Sequence, residues 1–275
     1  MADQKLTLYK GEVEIVFKED SHRYYRLDKE NLTKAGTPRK KSVCGVTTIL
    51  GIINKPALIN WAVSITIDYI KNNLNKIDQE PAKLLADAKA EAERVKRESA
   101  DIGKEIHAWI ELHIKGETPE IPVEENIKRG VISFLDWESQ HKVEYLESEK
   151  IVYSKQYNYI GTLDITAKID GKIYLLDLKT GNAIWQEHHA QVAAYMMADI
   201  EERGTPYEGR IILRISKETK DEYEERVKDK GWFQKNPEKY PYQVFEAIYL
   251  DEDGSTAHQD FEAFKSALKI YRWKK

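Results

Sequence analysis

Over residues 161–169 polar and apolar positions alternate without a break, Thr162, Asp164, Thr166 and Lys168 falling between Leu163, Ile165, Ala167 and Ile169. The alternation returns in Leu176-Asp177-Leu178-Lys179, and Asp170-Gly171 separates the two stretches. A period of two is that of a β-strand, whose successive side chains point to opposite faces. Asp-Gly suits the two-residue type I′ turn of a hairpin. The pattern therefore predicts strands over 161–169 and 172–179 with Ile169 facing Lys172. That register sets Asp164 opposite Asp177 and Thr162 opposite Lys179. Thr162, Asp164, Thr166, Asp177 and Lys179 would share one face, and Leu163, Ile165, Ala167, Ile169, Tyr174, Leu176 and Leu178 the other.

Elsewhere the period lengthens. Pro81 opens a helical pattern that runs to about residue 115, where Gly116 is a stop signal. Further helices are expected over 47–71, 124–140 and 184–203, the last with Gln191 and Tyr195 one turn apart. Phe261, Phe264, Leu268 and Tyr271 make a helical stripe. Strands are expected over 145–153, 210–216 and 243–250, and residues 12–27 read as a peripheral hairpin around Glu19-Asp20-Ser21. Strand 172–179, helix 184–203 and strand 210–216 form a unit that implies a parallel pair with a right-handed crossover. Residues 217–239 carry fourteen charged residues in twenty-three, too polar for a core, so a partly mobile surface excursion is expected there. The order of elements predicts one α/β domain over 1–275, a hairpin and helical cap in 1–140 and a mixed sheet core in 141–275.

Opposed carboxylates need a reason. With β-carbons roughly 5 Å apart, two unit charges repel by about 3 kcal/mol at an effective dielectric of about 20. A hard divalent cation such as Mg²⁺, which takes oxygen ligands, removes that penalty, and Lys179 would stand beside it to meet a phosphate or orient a water. The alternative is a solvated hairpin face with a cross-strand Lys–Asp pair. Upstream, Gly103 lies one turn before His107 on the long helix, at a cost of about 1 kcal/mol relative to alanine. One use for that glycine is to let another element approach beside the histidine.

The ordered series Gly103…His107, Gly161-Thr162-Leu163-Asp164, Asp177-Leu178-Lys179 and Gln191…Tyr195 resembles the RecB-like branch of the PD-(D/E)XK nucleases. More narrowly it is similar to stand-alone phage-type exonucleases and the mitochondrial genome maintenance exonuclease. Val46-Thr47-Thr48-Ile49-Leu50, with Lys55-Pro56-Ala57-Leu58 and Trp61, resembles the N-terminal helical part of that group. The resemblance covers roughly residues 40–215. It implies a restriction-endonuclease-like α/β fold, a mixed central sheet flanked by helices, with an N-terminal helical cap. It further implies a metal-dependent deoxyribonuclease using Mg²⁺ or Mn²⁺. Asp164 and Asp177 would be metal-binding carboxylates, joined by His107; Lys179 would be the catalytic lysine; Gln191 and Tyr195 would hold the DNA backbone. Asp177 stands where many members have Glu, which shortens the reach to the metal. Cys44, the only cysteine, leaves no cluster to hold an iron–sulfur centre.

Glu149, in the strand before the Gly161 motif, is a further candidate carboxylate, with Glu147 behind it. His188 and His189 read as a polar helix face within reach of DNA, and Tyr159 as a packing aromatic able to stack on a base. At 275 residues and 41% hydrophobic content the chain can bury a substantial core. No apolar run is long enough to span a bilayer, the start Met1-Ala2-Asp3-Gln4-Lys5 lacks signal-peptide character, and a lone cysteine suits a reducing, cytoplasmic interior. No Gly-x-x-x-x-Gly-Lys loop is present, so no nucleotide cofactor is expected. A net charge of −4 is unlike that of a global nucleic-acid binder. Local basic stretches do exist: residues 34–41, read as a mobile loop, and the tail Arg272-Trp273-Lys274-Lys275. The expected activity is exonucleolytic cleavage of DNA from strand ends. The alternatives are a structure-specific endonuclease of the same superfamily and a non-catalytic DNA-binding module.

Overall fold

The computed structural model describes residues 4–18, 21, 23–251 and 256–274. The chain divides into two units, one formed by Met1–Ile52 with Ile132–Lys275 and the other by Ile53–Val131. The first opens with β1 (Gln4–Leu8), β2 (Val13–Lys18), β3 (Arg23–Leu32) and β4 (Pro38–Gly45), all antiparallel neighbours, and then the short helix α1 (Val46–Leu50). The expected hairpin is thus the middle of a four-stranded run; Glu19 and Asp20 of its turn lie outside the described residues, as do Met1–Asp3 and Lys275. The basic stretch expected as a loop is mostly strand. The Thr33 N–H donates to Thr37 O at 2.7 Å to close the turn, and Arg39, Lys40 and Lys41 pair along β3 with Asp28, Leu27 and Arg26. The Lys41 ammonium reaches the buried Asp28 carboxylate at 2.6 Å, and the ladder to β3 holds the basic segment in the sheet.

The second unit contains α2 (Pro56–Asn72), α3 (Pro81–Ile114) and the start of α4 (Glu125–Ser139). Proline occupies the first turn of both α2 and α3, where its missing N–H costs nothing. Pro56 also fixes a new helix start, so the single helix expected over 47–71 is two.

From α4 the chain returns to the first unit and continues through β5 (Val143–Ser154), β6 (Tyr159–Ile169), β7 (Lys172–Lys179), α5 (Gln186–Arg203), β8 (Gly209–Ile215), α6 (Lys220–Val227), α7 (Gly231–Lys235), β9 (Phe245–Leu250) and α8 (Ala257–Trp273). Among the described residues nine strands form one sheet in the order β1-β2-β3-β4-β6-β7-β8-β9, with β5 paired to β6. Only β4/β6 and β7/β8 are parallel, so the fold is α/β with a mixed, mostly antiparallel sheet. One core joins α1, α5 and α8 to the sheet through residues such as Leu163, Leu175, Ala193, Ile212 and Phe264. A second packs Val13, Ile15 and Val43 against Tyr153 and Ile160.

The charged excursion 217–239 is folded. Thr219 and Glu222 form a capping box that starts α6, Val227 is fully buried, and Tyr223 packs edge-on against Phe233. Tyr223, Val227 and Phe233 pack inward and anchor two short helices, while Trp232 stays exposed. Among the described residues no helix is long and apolar enough to cross a membrane.

Candidate metal centre

The predicted hairpin register is observed. Ile169 pairs with Lys172, and Asp170 and Gly171 take φ of 49° and 92°, the left-handed values a type I′ turn requires. The ladder between β6 and β7, however, ends at Ile165↔Leu176. On that same edge β6 next pairs with β4, at Tyr159 and Ile160. Residues 161–164 therefore lie at a fork, where β7 has left β6 and β4 has not yet joined it. Asp164 and Asp177 are not ladder partners as the alternation implied. Instead the Asp164 side chain fills the fork: its Oδ2 accepts the Leu178 N–H at 2.7 Å, replacing a ladder acceptor. Beyond the fork β7 is held from its other side, Asp177 pairing with Ile212 and Lys179 with Arg214 of β8.

The fork also breaks the alternation of faces. Thr166 turns to the α5 side, its hydroxyl 3.3 Å from the Tyr207 hydroxyl, which itself donates to Asp199 of α5. Gly161, an odd number of residues away, faces α5 as well. Thr162 falls on the opposite face: its partner Ile151 packs with Tyr153 and Ile160. It does not share a face with Asp177 and Lys179. Glu149 of β5, between the paired Ser148 and Lys150, has φ of 47°, a left-handed value rarely adopted by a non-glycine residue. The irregularity thus runs through both strands at the level of Asp164.

Asp177 is fully buried, and neither of its oxygens accepts a hydrogen bond of ordinary geometry from any described group; the Lys179 ammonium is ion-paired against Oδ2. Burial is the main cause that raises the Asp177 carboxyl above the usual carboxylate range. The Lys179 charge pulls it back down, the Asp164 charge adds to the rise, and His188 lowers it slightly. Burial alone would lower the Lys179 ammonium, but attraction to Asp177 and Asp164 outweighs it and leaves the amine above its ordinary value. A carboxylate oxygen of the exposed Glu149 lies within 4.8 Å of one of Asp164. Hard oxygen donors, among them a buried carboxylate short of hydrogen bonds, are the ligand type a small divalent cation takes; the adjacent Lys179 ammonium repels such an ion and suits an anionic group instead.

Tyr195 closes the site from α5. A β-carbon on Gly161 would stand 2.2 Å from Tyr195 Cε1 and 2.8 Å from Cδ1, so the glycine makes room for the ring. The Tyr195 hydroxyl accepts the Gln191 amide N–H at 2.9 Å. Burial first, and then the Asp177 charge, raise the Tyr195 phenol above its ordinary value, so it stays protonated. The ring is 4% exposed, which makes Tyr195 a wall of the site and leaves Gln191, half-buried, as the member of the pair nearer to solvent.

The remaining predicted residues divide clearly. Tyr159 is fully buried, donating its hydroxyl to Ala194 O at 2.8 Å and packing edge-on against Phe264; it is a packing residue. Glu147 is ion-paired to Arg203 at 2.7 Å and to Lys150 at 3.0 Å. His188 is near enough to Asp177 to influence it electrostatically, while His189 contributes its carbonyl to Arg210. His107 is half-buried on α3 of the other unit, one turn after the buried Gly103. Arg272, expected in a basic tail, lies in the last turn of α8 and donates to Tyr157 O at 2.5 Å.

Two buried polar networks escape the pattern reading. Asp199 takes Arg203 at 2.7 Å, Thr205 at 2.5 Å and Tyr207 at 2.9 Å, together with an ion pair to Lys150. Arg210, with no exposed surface, binds Asp251 through two nitrogens and Asp260 at 2.8 Å. The one signal available for the first was Asp199 and Arg203 standing one helical turn apart.

The fold and the cluster define an α/β protein with a carboxylate–lysine site at a sheet fork. Comparison of the chain with models of known protein families, and with the sequences of curated proteins, finds no match to either.

Proposed function

We propose that the chain is a metal-dependent deoxyribonuclease with a restriction-endonuclease-like core, acting on DNA strand ends. The observation that carries this reading is Asp177: a fully buried carboxylate with no ordinary hydrogen bond, beside Asp164 and against Lys179. Fold stability alone gives no reason to keep that arrangement, since a buried ion pair is often no better than an apolar replacement. Asp164 and Asp177 would hold Mg²⁺ or Mn²⁺, with Glu149 beside Asp164 as a further carboxylate; His107 joins the metal shell in this reading on its sequence motif alone. Such an ion, when bound, polarises a phosphate and acidifies a water.

The residues of the chain supply the rest. Asp164 spans the fork through its bond from Leu178 N–H, so the first carboxylate is fixed by backbone. Lys179, charged at neutral pH because of Asp177 and Asp164, donates to the phosphate oxygens as negative charge grows on them. Tyr195 fixes Gln191, whose amide holds the neighbouring phosphate. The test is cleavage of end-labelled linear single- and double-stranded DNA beside covalently closed circles, with Mg²⁺, Mn²⁺ or chelator. Metal-dependent loss of linear DNA alone is expected, absent in Asp177→Ala and Lys179→Ala. Wild-type rates in either folded variant would remove these residues from the mechanism, and nicked circles would favour an endonuclease.

A further inference from the structure

The excursion between β8 and β9 carries a second feature that the metal centre does not use. Trp232 is 45% exposed and Tyr240 42% exposed, their rings 4.6 Å apart and inclined at 69°, so that each leaves ring surface to solvent. A cluster behind them keeps them in place. Phe233 meets Tyr223 edge-on at 6.4 Å, Tyr223 packs on Tyr242 at 5.8 Å, and the Tyr223 hydroxyl donates to Tyr240 O at 2.7 Å. The Tyr242 hydroxyl ties the cluster to Glu218 O at 2.8 Å, and Arg226 grips the Glu218 carboxylate with two nitrogens. Residues 230–240 hold three exposed lysines, Lys230, Lys235 and Lys239, against one acid, Glu238, in a chain whose net charge is −4. The excursion leaves β8 just after Arg214, the residue paired with Lys179, and so starts at the sheet end where the metal centre lies.

Exposed aromatic surface on a segment whose neighbouring positions are mostly lysine suits a polyanion whose flat bases are free to stack, although residues 217–239 as a whole balance seven cationic against seven acidic side chains. Duplex DNA keeps its bases covered, whereas a single strand offers both base faces and its phosphates together. We infer that Trp232 and Tyr240, with Lys230, Lys235 and Lys239, form a base-stacking platform for single-stranded DNA on the excursion that leaves β8. The choice of DNA rests on the nuclease reading; the stacking itself rests on the excursion alone.

The experiment measures binding without cleavage. Full-length protein carrying Asp177→Ala is titrated, in chelator, against a fluorescein-labelled oligothymidylate and an abasic strand of the same length and charge. The same titrations are made with Trp232→Ala and Trp232→Phe added. Oligothymidylate binding should weaken about five- to hundredfold in the alanine variant, the range for losing one stacked base. The phenylalanine variant should bind within about threefold of its parent, since another aromatic face still stacks. The abasic strand should bind the parent at least as weakly as oligothymidylate binds Trp232→Ala, since it also loses stacking on Tyr240. Equal affinity for the two strands in the parent protein overturns the proposal without any substitution in the platform. So does unchanged oligothymidylate binding in a Trp232→Ala protein with a native circular-dichroism spectrum. Cleavage by the wild type in Mn²⁺ is scored separately: cleavage without base-dependent binding sinks the platform alone, and base-dependent binding without cleavage sinks the nuclease reading alone.

Discussion

Replacing Gly161 by alanine tests the packing on which the site depends. Gly161 has no left-handed φ, so its backbone would accept alanine, and what is missing is space. The new methyl would lie 2.2 Å from Tyr195 Cε1, 2.8 Å from Cδ1 and 3.3 Å from Cζ, where carbon atoms ordinarily rest at about 3.5–4.0 Å. The ring must retreat by more than about 1 Å, but it is buried in the α5 core and its hydroxyl is tied to Gln191. Overpacking of this kind costs about 1–3 kcal/mol, and the stiffer unfolded chain returns about 0.4–1 kcal/mol. A net loss of roughly 1–2 kcal/mol is expected in urea unfolding, read as a lower midpoint at unchanged slope. In a Tyr195→Ala background the obstructing atoms are gone, and the same substitution should become neutral or stabilising, a coupling of at least about 1 kcal/mol. Equal losses in both backgrounds would show that Tyr195 is not what excludes a side chain at position 161.

Three further outcomes follow from the buried charges. Lys179→Met leaves Asp177 buried without its cation and should cost about 3–5 kcal/mol near neutral pH. Because burial already raises the Asp177 carboxyl, the stability tied to its proton is present below the unfolded value of about 3.9 and is lost as pH rises through the folded one. The deficit of Lys179→Met should therefore shrink as pH falls; urea midpoints of variant and wild type at pH about 5 and about 8 check this, and a pH-independent deficit would refute it. Asp199→Asn removes a charge that Lys150 and Arg203 share with Glu147; because both cations keep Glu147, it should lose only about 1–3 kcal/mol yet bind Mn²⁺ like the wild type, as titration calorimetry would show. Metal affinity of the wild type should fall with falling pH, beginning above the ordinary aspartate range because Asp177 must lose its proton to bind; a profile that begins to fall only within the ordinary aspartate range would contradict that.

Much of this arrangement was legible in the chain. The Asp170-Gly171 turn dictated the hairpin register, and the crossover from β7 through α5 to the parallel β8 appears as expected. The fork did not, because the partner that draws β6 away from β7 is β4, whose pairing residues Cys44 and Gly45 lie more than a hundred positions upstream. Local alternation carries no trace of such a distant partner, so on its own it assigns Thr162 to the wrong face. Charge density misled twice. Residues 217–239 fold because Tyr223, Val227 and Phe233 pack inward, and β4 is held by its ladder to β3. Ion pairs of Glu147 with Arg203 and Lys150 likewise depend on tertiary neighbours that spacing does not reveal.

Direct titration of Mn²⁺ by electron paramagnetic resonance, on wild type, Asp164→Asn and Asp177→Asn at neutral pH, tests the central claim most directly. The wild type should bind Mn²⁺ with loss of the free-ion signal, and each variant, folded by circular dichroism, should leave that signal free at the same concentrations. Binding by both variants as tight as that of the wild type would show that the carboxylate–lysine fork is not a metal centre.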